Sequence, residues 1–382
     1  MKLPTEVIQQ LVLEHLAIRD VRNLARVEFD PAPRLNVICG NNGQGKTSIL
    51  EGIYLLATSR SFRTAKLQEV VGHGADCASV RGTFGERSDD VERLAARRQS
   101  VGLQAGRREL RIDEEPPASL THYATRSPVV VFDPSQMTMS TGPAAGRRRL
   151  LDRVTLFADV GLSVHRSRYN RALKARQRLL LPIGPAAAST DELVAFEALL
   201  AAHGAAITAA RKKASEQLGS ELCSAFERIA QPGLQLTVSY KPGGCTDSSE
   251  ARHELARRRR GDAQRRRAGF GPHLDDLDIR IDGHPARAVG SQGQHRAITL
   301  ALKMAELGCI AAARGLLPVF LLDDVSSELD PDRSQALLDY LATVRCQIFV
   351  TTTRRDLVVA PSLSGRDRLD LQVEAGRVAP VG

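Results

Sequence analysis

The sequence predicts an α/β fold: a mixed, mainly parallel sheet with a helical lobe inserted into it. Three observations carry that prediction. Short apolar runs alternate with helical patterns over residues 1–134 and again over 269–382. The first of these regions holds a glycine-rich turn between an apolar run and a helical run. The stretch between them, 135–268, is mostly helical in pattern and strongly basic. These give three segments: a first lobe, a basic helical arm, and a closing α/β segment.

Taken in order, residues 11–18 and 25–29 read as strands joined by a turn, and Leu35 to Cys39 as a short buried strand. Gly40-Asn41-Asn42-Gly43-Gln44-Gly45-Lys46-Thr47 follows, and a helix is predicted over 46–57. Strand, glycine turn, Lys-Thr and helix form the Walker A arrangement. Its chemistry is that of a polyphosphate cradle. The glycines let the backbone wrap closely, and successive N–H groups face the phosphate oxygens. The positive end of the helix adds to this. Lys46 is expected to neutralise charge on a bound ATP, and the Thr47 hydroxyl to hold Mg²⁺. After the helix, Ser59 to Arg63 is a polar loop with two arginines, and 78–83, 101–105 and 129–132 read as strands.

From 146 to 181 the pattern is helical and rich in arginine. A second long helical stretch is predicted to open with Ser189-Thr190-Asp191-Glu192, a capping box of Ser189 with Glu192, and to run to about Ala230. Residues 234–240 alternate like a strand. Over 252–267, eight arginines against Glu254 and Asp262 leave a net +6. That run is either a solvated face or a phosphate-contacting segment, and its lack of interleaved aromatics favours backbone contact over base stacking. Strands over 277–281, 316–322 and 347–351 alternate with helices over 297–313 and 332–342.

Pro318 to Asp324 has the Walker B pattern, an apolar strand ending in two carboxylates. Ligands bind at that edge of a parallel sheet. Asp323 is expected to act on Mg²⁺ and Asp324 to polarise the attacking water, which with Lys46 makes the catalytic set. Ser291-Gln292-Gly293-Gln294 stands directly before a helix and forms a second anion-binding helix start, beside the simpler reading as a helix cap. One triphosphate does not need two such sites in one subunit. Two subunits placed head to tail do, each glycine loop facing the other's Ser291 segment. Ser326 to Asp330 is expected to cross the same interface, and Thr351 to Arg354 to sense the terminal phosphate.

Composition bounds the rest. The 382 residues carry a net charge of +9, which suggests a polyanionic partner or an arginine-rich background. The six cysteines are scattered without a Cys-x-x-Cys pair, which excludes zinc and thiol-redox motifs and suits a cytoplasmic protein. The N-terminus has no signal-peptide pattern, and no uninterrupted apolar run of transmembrane length occurs.

At these residues the sequence resembles the RecF family of recombination mediators, ATPases related to ABC-type and SMC heads. The resemblance covers nearly the whole chain. It rests on Arg22-Asn23, on Gly40 to Tyr54 and on Ser61-Phe62-Arg63. Gly142-Pro143 with Arg147 and Asp152, Gly271-Pro272-His273 with Asp275-Asp276, and Leu321 to Asp330 add to it. Leu274 stands where the family usually has arginine, and Asp133-Pro134-Ser135-Gln136 lacks the usual acid after the proline. The resemblance implies an ATP-dependent homodimer that binds single- and double-stranded DNA at gaps and junctions. It also implies work with RecR and RecO partners to load a recombinase in repair, fork recovery and the SOS response, with weak DNA-stimulated ATPase activity and no membrane. From the residues alone, a P-loop phosphotransferase or another ABC-type ATPase is the alternative. The Ser291 segment and the basic helices have no role in the former, and the basic insert argues against a transporter subunit.

Overall fold

The computed structural model describes residues 9–88, 94–180, 191–230, 233–324, 339, 343–360 and 363–381. The chain begins with β1 (Gln9–Val21), β2 (Leu24–Phe29), β3 (Leu35–Cys39) and α1 (Lys46–Thr58). Then come β4 (Cys77–Arg87), β5 (Ala95–Gln104), β6 (Arg107–Ile112), α2 (Leu120–Arg126) and β7 (Val129–Phe132). A helical stretch follows: α3 (Thr138–Thr141), α4 (Ala145–Ala158), α5 (Leu162–Leu180) and α6 (Asp191–Ile229). Next are β8 (Leu236–Lys241), α7 (Ser248–Arg265), β9 (Asp276–Ile281), β10 (His284–Pro285) and α8 (Ala286–Val289). The chain closes with α9 (Gln292–Arg314), β11 (Leu316–Leu317), β12 (Val319–Leu322), β13 (Ile348–Thr352), β14 (Arg368–Glu374) and β15 (Arg377–Pro380).

These elements form two compact units. The first takes its described residues from 1–137, 224–234 and 291–382, and the second from 138–223 and 235–290. The inserted unit therefore extends through β9 and α8, which the sequence pattern groups with the closing segment.

The first unit holds two six-stranded sheets. One has the order β15-β14-β3-β13-β12-β7 and is parallel except for the β14–β15 hairpin. The other runs β11-β1-β4-β5-β6 with β2 also on β1, and is antiparallel except for the β1–β11 pair. Helix α1 is buried along most of its length. Its Ile49, Leu50, Ile53 and Leu56 share one apolar cluster with Leu16, Ile18 and Val80 of one sheet and Ile38, Leu321 and Phe349 of the other. This burial fixes the start of α1 at the C-terminal edge of the parallel sheet.

The single strand expected over 316–322 is two. Pro318 has no N–H to give to a ladder. Leu316 and Leu317 pair with β1, whereas Val319 to Leu322 lie between β7 and β13 in the parallel sheet. The helix expected over 146–181 also divides, at Asp159–Gly161, where the Asp159 carboxylate accepts the Gly161 N–H at 2.8 Å. The β14–β15 hairpin and α2 have no counterpart among the elements expected from sequence. The Ser189 cap, the 326–330 segment and all of the 332–342 helix except Asp339 lie outside the described residues.

The second unit is not purely helical. It carries a three-stranded antiparallel sheet, β10-β9-β8. Helix α6 is long and apolar enough, by length and composition, to cross a membrane. Here its Leu200, Ala201 and Ile207 pack with Tyr169 and Leu255. Its buried Glu197 binds Arg176 at 3.3 Å. Its Arg211 binds Asp152 at 2.8 Å and Asp275 at 2.7 Å. Buried charges persist only when paired in this way.

Candidate nucleotide site

The glycine loop joins the end of β3 to α1. Gly45, the residue before the helix, has φ 118° and gives α1 no side-chain cap. The first N–H groups of α1 thus face the loop interior, as an anion site requires. At Gly40 the constraint is space: a Cβ there would lie 2.4 Å from the Val373 carbonyl oxygen of β14. Gln44 turns toward the same hairpin, its side-chain oxygen accepting the Ala375 N–H at 2.6 Å and its carbonyl the Gly376 N–H at 3.0 Å. Lys46 is buried, and its ammonium donates to the carbonyls of Gly40 at 2.7 Å and Asn41 at 3.0 Å.

Asp323 leaves β12 next to this loop. Its Oδ1 accepts the hydroxyls of Thr47 at 2.8 Å and Thr351 at 2.7 Å. Thr351 is the penultimate residue of the neighbouring strand β13, and its Oγ1 also accepts the Asp324 N–H at 2.8 Å. Asp324 has φ 52°, a left-handed conformation that Asp tolerates better than most residues. Burial pushes the Asp323 carboxyl above the usual carboxylate range, and the nearby Asp133 and Asp324 add to that shift. Hydrogen bonds from Thr351 and Thr47 act against it. A half-buried hydroxyl and a buried carboxylate that gains from a nearby positive charge form a hard oxygen donor set, which fits a divalent cation such as Mg²⁺.

Together these groups line a cavity of about 340 Å³. Asn42, Gly43, Gly45, Lys46 and Thr47 come from the loop and helix, and Asp323, Asp324 and Thr351 from the strand ends. Gly40, Asn41 and Gln44 shape the loop without lining the cavity. Four further lining residues were not assigned roles from sequence: Arg22, Asn23, Ser48 and Arg63. Asn23 donates to the Gly43 carbonyl at 3.2 Å and accepts the Ser48 hydroxyl at 2.9 Å. The Arg-Asn pair after β1 was the available signal, but nothing in its spacing tied it to the loop.

Ser291 to Gln294 does not line this cavity. Ser291 caps α9, accepting the Gln294 N–H at 3.2 Å, while the Gln294 side chain accepts the Ser291 N–H at 2.8 Å. Ser291 and Gln292 are exposed, Gly293 and Gln294 half-buried. Capping thus accounts for Ser291 and Gln294 within one chain.

The basic run is helical as far as Arg265, on α7, and half of its arginines are paired with carboxylates. Arg257 and Arg258 share Glu254, whose carboxyl they hold down to about 2. Arg259 binds the buried Glu197, and Arg265 lies 3.4 Å from Asp262. A second cationic surface is not legible in the sequence because its arginines come from separate strands. On the open face of the antiparallel sheet, Arg19, Arg26, Arg81, Arg98 and Arg111 line a trough of about 540 Å³ together with Glu28, Glu109 and Glu114. Arg26 pairs with Glu28 at 3.2 Å and Arg111 with Glu109 at 2.6 Å, so Arg19, Arg81 and Arg98 are its surplus cations. Its floor includes Ala17, Ser79, Ser100 and Gly102.

The RecF/RecN/SMC N-terminal domain family matches residues 12–363. The chain is 38% identical to the DNA replication and repair protein RecF of Anaeromyxobacter sp. (strain Fw109-5), over 96% of this chain and 98% of that one. It is 36% identical to RecF of Geobacter sulfurreducens, over 97% of this chain and 100% of the relative. A solved structure described as the recombination mediator protein RecF with ATPrS, in the RecFOR pathway, superposes with a TM-score of 0.86 at 27% identity. It covers 98% of this chain and 100% of that chain. The Smc head domain of Pyrococcus furiosus shares the fold, with a TM-score of 0.57 at 15% identity over 97% of this chain and 96% of that one. The glycine loop, the paired acids just after β12 and full-length similarity agree: the chain belongs to the RecF family of DNA replication and repair proteins.

Proposed function

We propose that this protein is an ATP-dependent, DNA-binding recombination mediator whose two copies close on each other when ATP is bound. The observation that carries this reading is the Thr47–Asp323 contact, which joins the phosphate loop to the acid strand inside one cavity. Gly43, Gly45 and the start of α1 bind the phosphates through backbone N–H groups, and Lys46 neutralises their charge. Thr47 and Asp323 hold Mg²⁺, which when bound neutralises charge on the β- and γ-phosphates. Asp324 accepts a proton from the attacking water as general base. Ser291 to Gln294 lies outside the chain's own cavity and on the surface, where it is available to meet the triphosphate held by a second copy. ATP then acts as the bond between copies, and hydrolysis releases it. The expected ATPase is weak and stimulated by DNA.

The proposed DNA-facing surface is the arginine-bordered trough on the open sheet. Arg19, Arg81 and Arg98, beside the small residues Ala17, Ser79, Ser100 and Gly102, present cations without carboxylate partners among the described residues, which suits a sugar–phosphate backbone of single- or double-stranded DNA. Gaps and junctions are the proposed targets, RecR- and RecO-type proteins the proposed partners, and the cytoplasm the proposed location. The tests are sedimentation velocity and phosphate release. The wild-type chain should dimerise with ATP and revert as ATP is consumed. Asp324→Asn should dimerise and stay dimeric, with phosphate release lower by about 10²–10⁴-fold. A protein that stays monomeric with every nucleotide would overturn the reading.

A further inference from the structure

Helix α1 carries one fully buried carboxylate, Glu51, one turn beyond Thr47 and on the same face of the helix. All of its acceptor capacity is used. Arg22 grips it from both sides, Nε to Oε2 at 2.9 Å and Nη2 to Oε1 at 2.9 Å. Ser61 Oγ donates to Oε1 at 2.5 Å, and Arg63 Nη1 donates to Oε2 at 3.3 Å. Glu51 does not line the nucleotide cavity, but Arg22 and Arg63 both do. One buried anion therefore faces two guanidiniums, and the surplus positive charge lies at the cavity wall.

The two arginines are held differently. Arg22 also donates to the Glu69 carbonyl, and its backbone N–H donates to the Val70 carbonyl at 2.8 Å. It is anchored. The Arg63 side chain is 43% exposed and touches Glu51 through one long bond. Its backbone is fixed instead: Ser61 Oγ, while bound to Glu51, accepts the N–H groups of Arg63 at 3.0 Å and Thr64 at 3.1 Å. Glu51 thus sets the loop that carries Arg63 and leaves the Arg63 guanidinium with little to lose by turning to another anion.

We propose that Glu51 is a positioning residue that presents Arg63 to the phosphate oxygens of the bound nucleoside triphosphate. Arg22 serves as the fixed strut and Arg63 as the moving cation. This rests on the reading of the cavity as a triphosphate site. Glu51 acts through geometry that two bonds transmit, one to the Arg63 side chain and one through Ser61 to its backbone. Shortening the carboxylate by one methylene should loosen both without removing the charge that Arg22 needs.

The experiment is a double-mutant cycle on ATP affinity, read by fluorescent-nucleotide titration, with thermal melting in parallel. Arg63→Ala should weaken ATP binding about tenfold, the scale of one charge-assisted hydrogen bond. Glu51→Asp should weaken it similarly in the presence of Arg63 and hardly at all in the Arg63→Ala background. A purely structural role predicts the same Glu51→Asp effect in both backgrounds, tracking the melting temperature, and that result would overturn the proposal. If Glu51→Asp does not fold, Arg63→Lys decides. It keeps the charge but loses the planar donor fork, so affinity close to the Arg63→Ala level supports the proposal and wild-type affinity sinks it. Lys46→Ala is the control for the underlying reading. If Lys46→Ala abolishes binding while the cycle is additive, the site stands and the Glu51 assignment falls. If Lys46→Ala binds ATP normally, the site reading itself fails.

Discussion

Thr47 on the first turn of α1 donates its hydroxyl to Asp323 at 2.8 Å, across 276 residues of sequence. Asp323 accepts Thr351 on the same oxygen. The two hydroxyls orient the acid that faces the proposed cation position. Replacing Thr47 by Ala removes one proposed cation ligand and leaves the loop backbone intact. The expected outcome is a loss of about tenfold in ATP affinity in the presence of Mg²⁺, with no change in its absence. Nucleotide titrations with Mg²⁺ and with a chelator check this.

Ser291 separates the two halves of the proposed composite site. It caps its own helix and stays clear of its own cavity. Ser291→Arg loses the capping hydroxyl at a cost of about 1 kcal/mol, too little to unfold a domain. The variant should bind ATP as a monomer with wild-type affinity and fail to dimerise. Sedimentation with a slowly hydrolysed ATP analogue reads this directly. Dimers of normal strength would remove the segment from the interface.

The DNA surface is tested by charge reversal at two places. Arg19 and Arg81 are exposed on the sheet face, and Arg257 and Arg258 are already shared with Glu254. Reversing Arg19 and Arg81 should lower duplex affinity and flatten the log–log salt dependence by about 0.9 for each phosphate that is no longer neutralised. Reversing Arg257 and Arg258 should leave the slope unchanged. The opposite pattern, measured by fluorescence anisotropy across a salt series, would move the DNA-binding surface to α7.

Acid sensitivity is expected in the second unit. His203 and His165 stand with Nδ1 atoms 3.2 Å apart. Burial, the His165 ring and Arg168 all lower the His203 pKa from its usual 6.5. The stability that this group contributes is therefore complete above 6.5 and is lost as pH falls through the lowered folded value. Melting temperature should drop as pH falls from 6.5 to that lowered value, and this group should add no further loss below it. His203→Gln, which cannot take up the proton, should have a shallower acid limb. An unchanged limb would assign the loss to other groups.

How much was legible in the sequence depends on how local each signal was. The Leu35–Cys39 strand and the α1 start at Lys46 were readable because strand, loop and helix adjoin. Pro318 was readable as a residue but not as a switch between sheets, because the partner of Leu316 is Gln9. Asp323 and Asp324 stood out by pattern, but their tie to Thr351 depends on β12 and β13 being neighbours. Arg22, Arg63 and Glu51 form one cluster in space and three unrelated positions in sequence. The arginines of the sheet face are scattered over β1, β2, β4, β5 and β6, so no run marks them. In the run that did stand out, Arg257, Arg258, Arg259 and Arg265 are already paired with carboxylates.

The hairpin of β14 and β15 has a consequence for synthesis. The phosphate loop leans on Val373 and ties its Gln44 to Ala375, 331 residues further on. During translation, residues 40–47 emerge before the hairpin that braces them, Gln44 standing 331 positions ahead of Ala375. A half-made chain thus carries the nucleotide motif without its support. On the proposed reading, ATP capture and the pairing of copies would wait until that hairpin is in place.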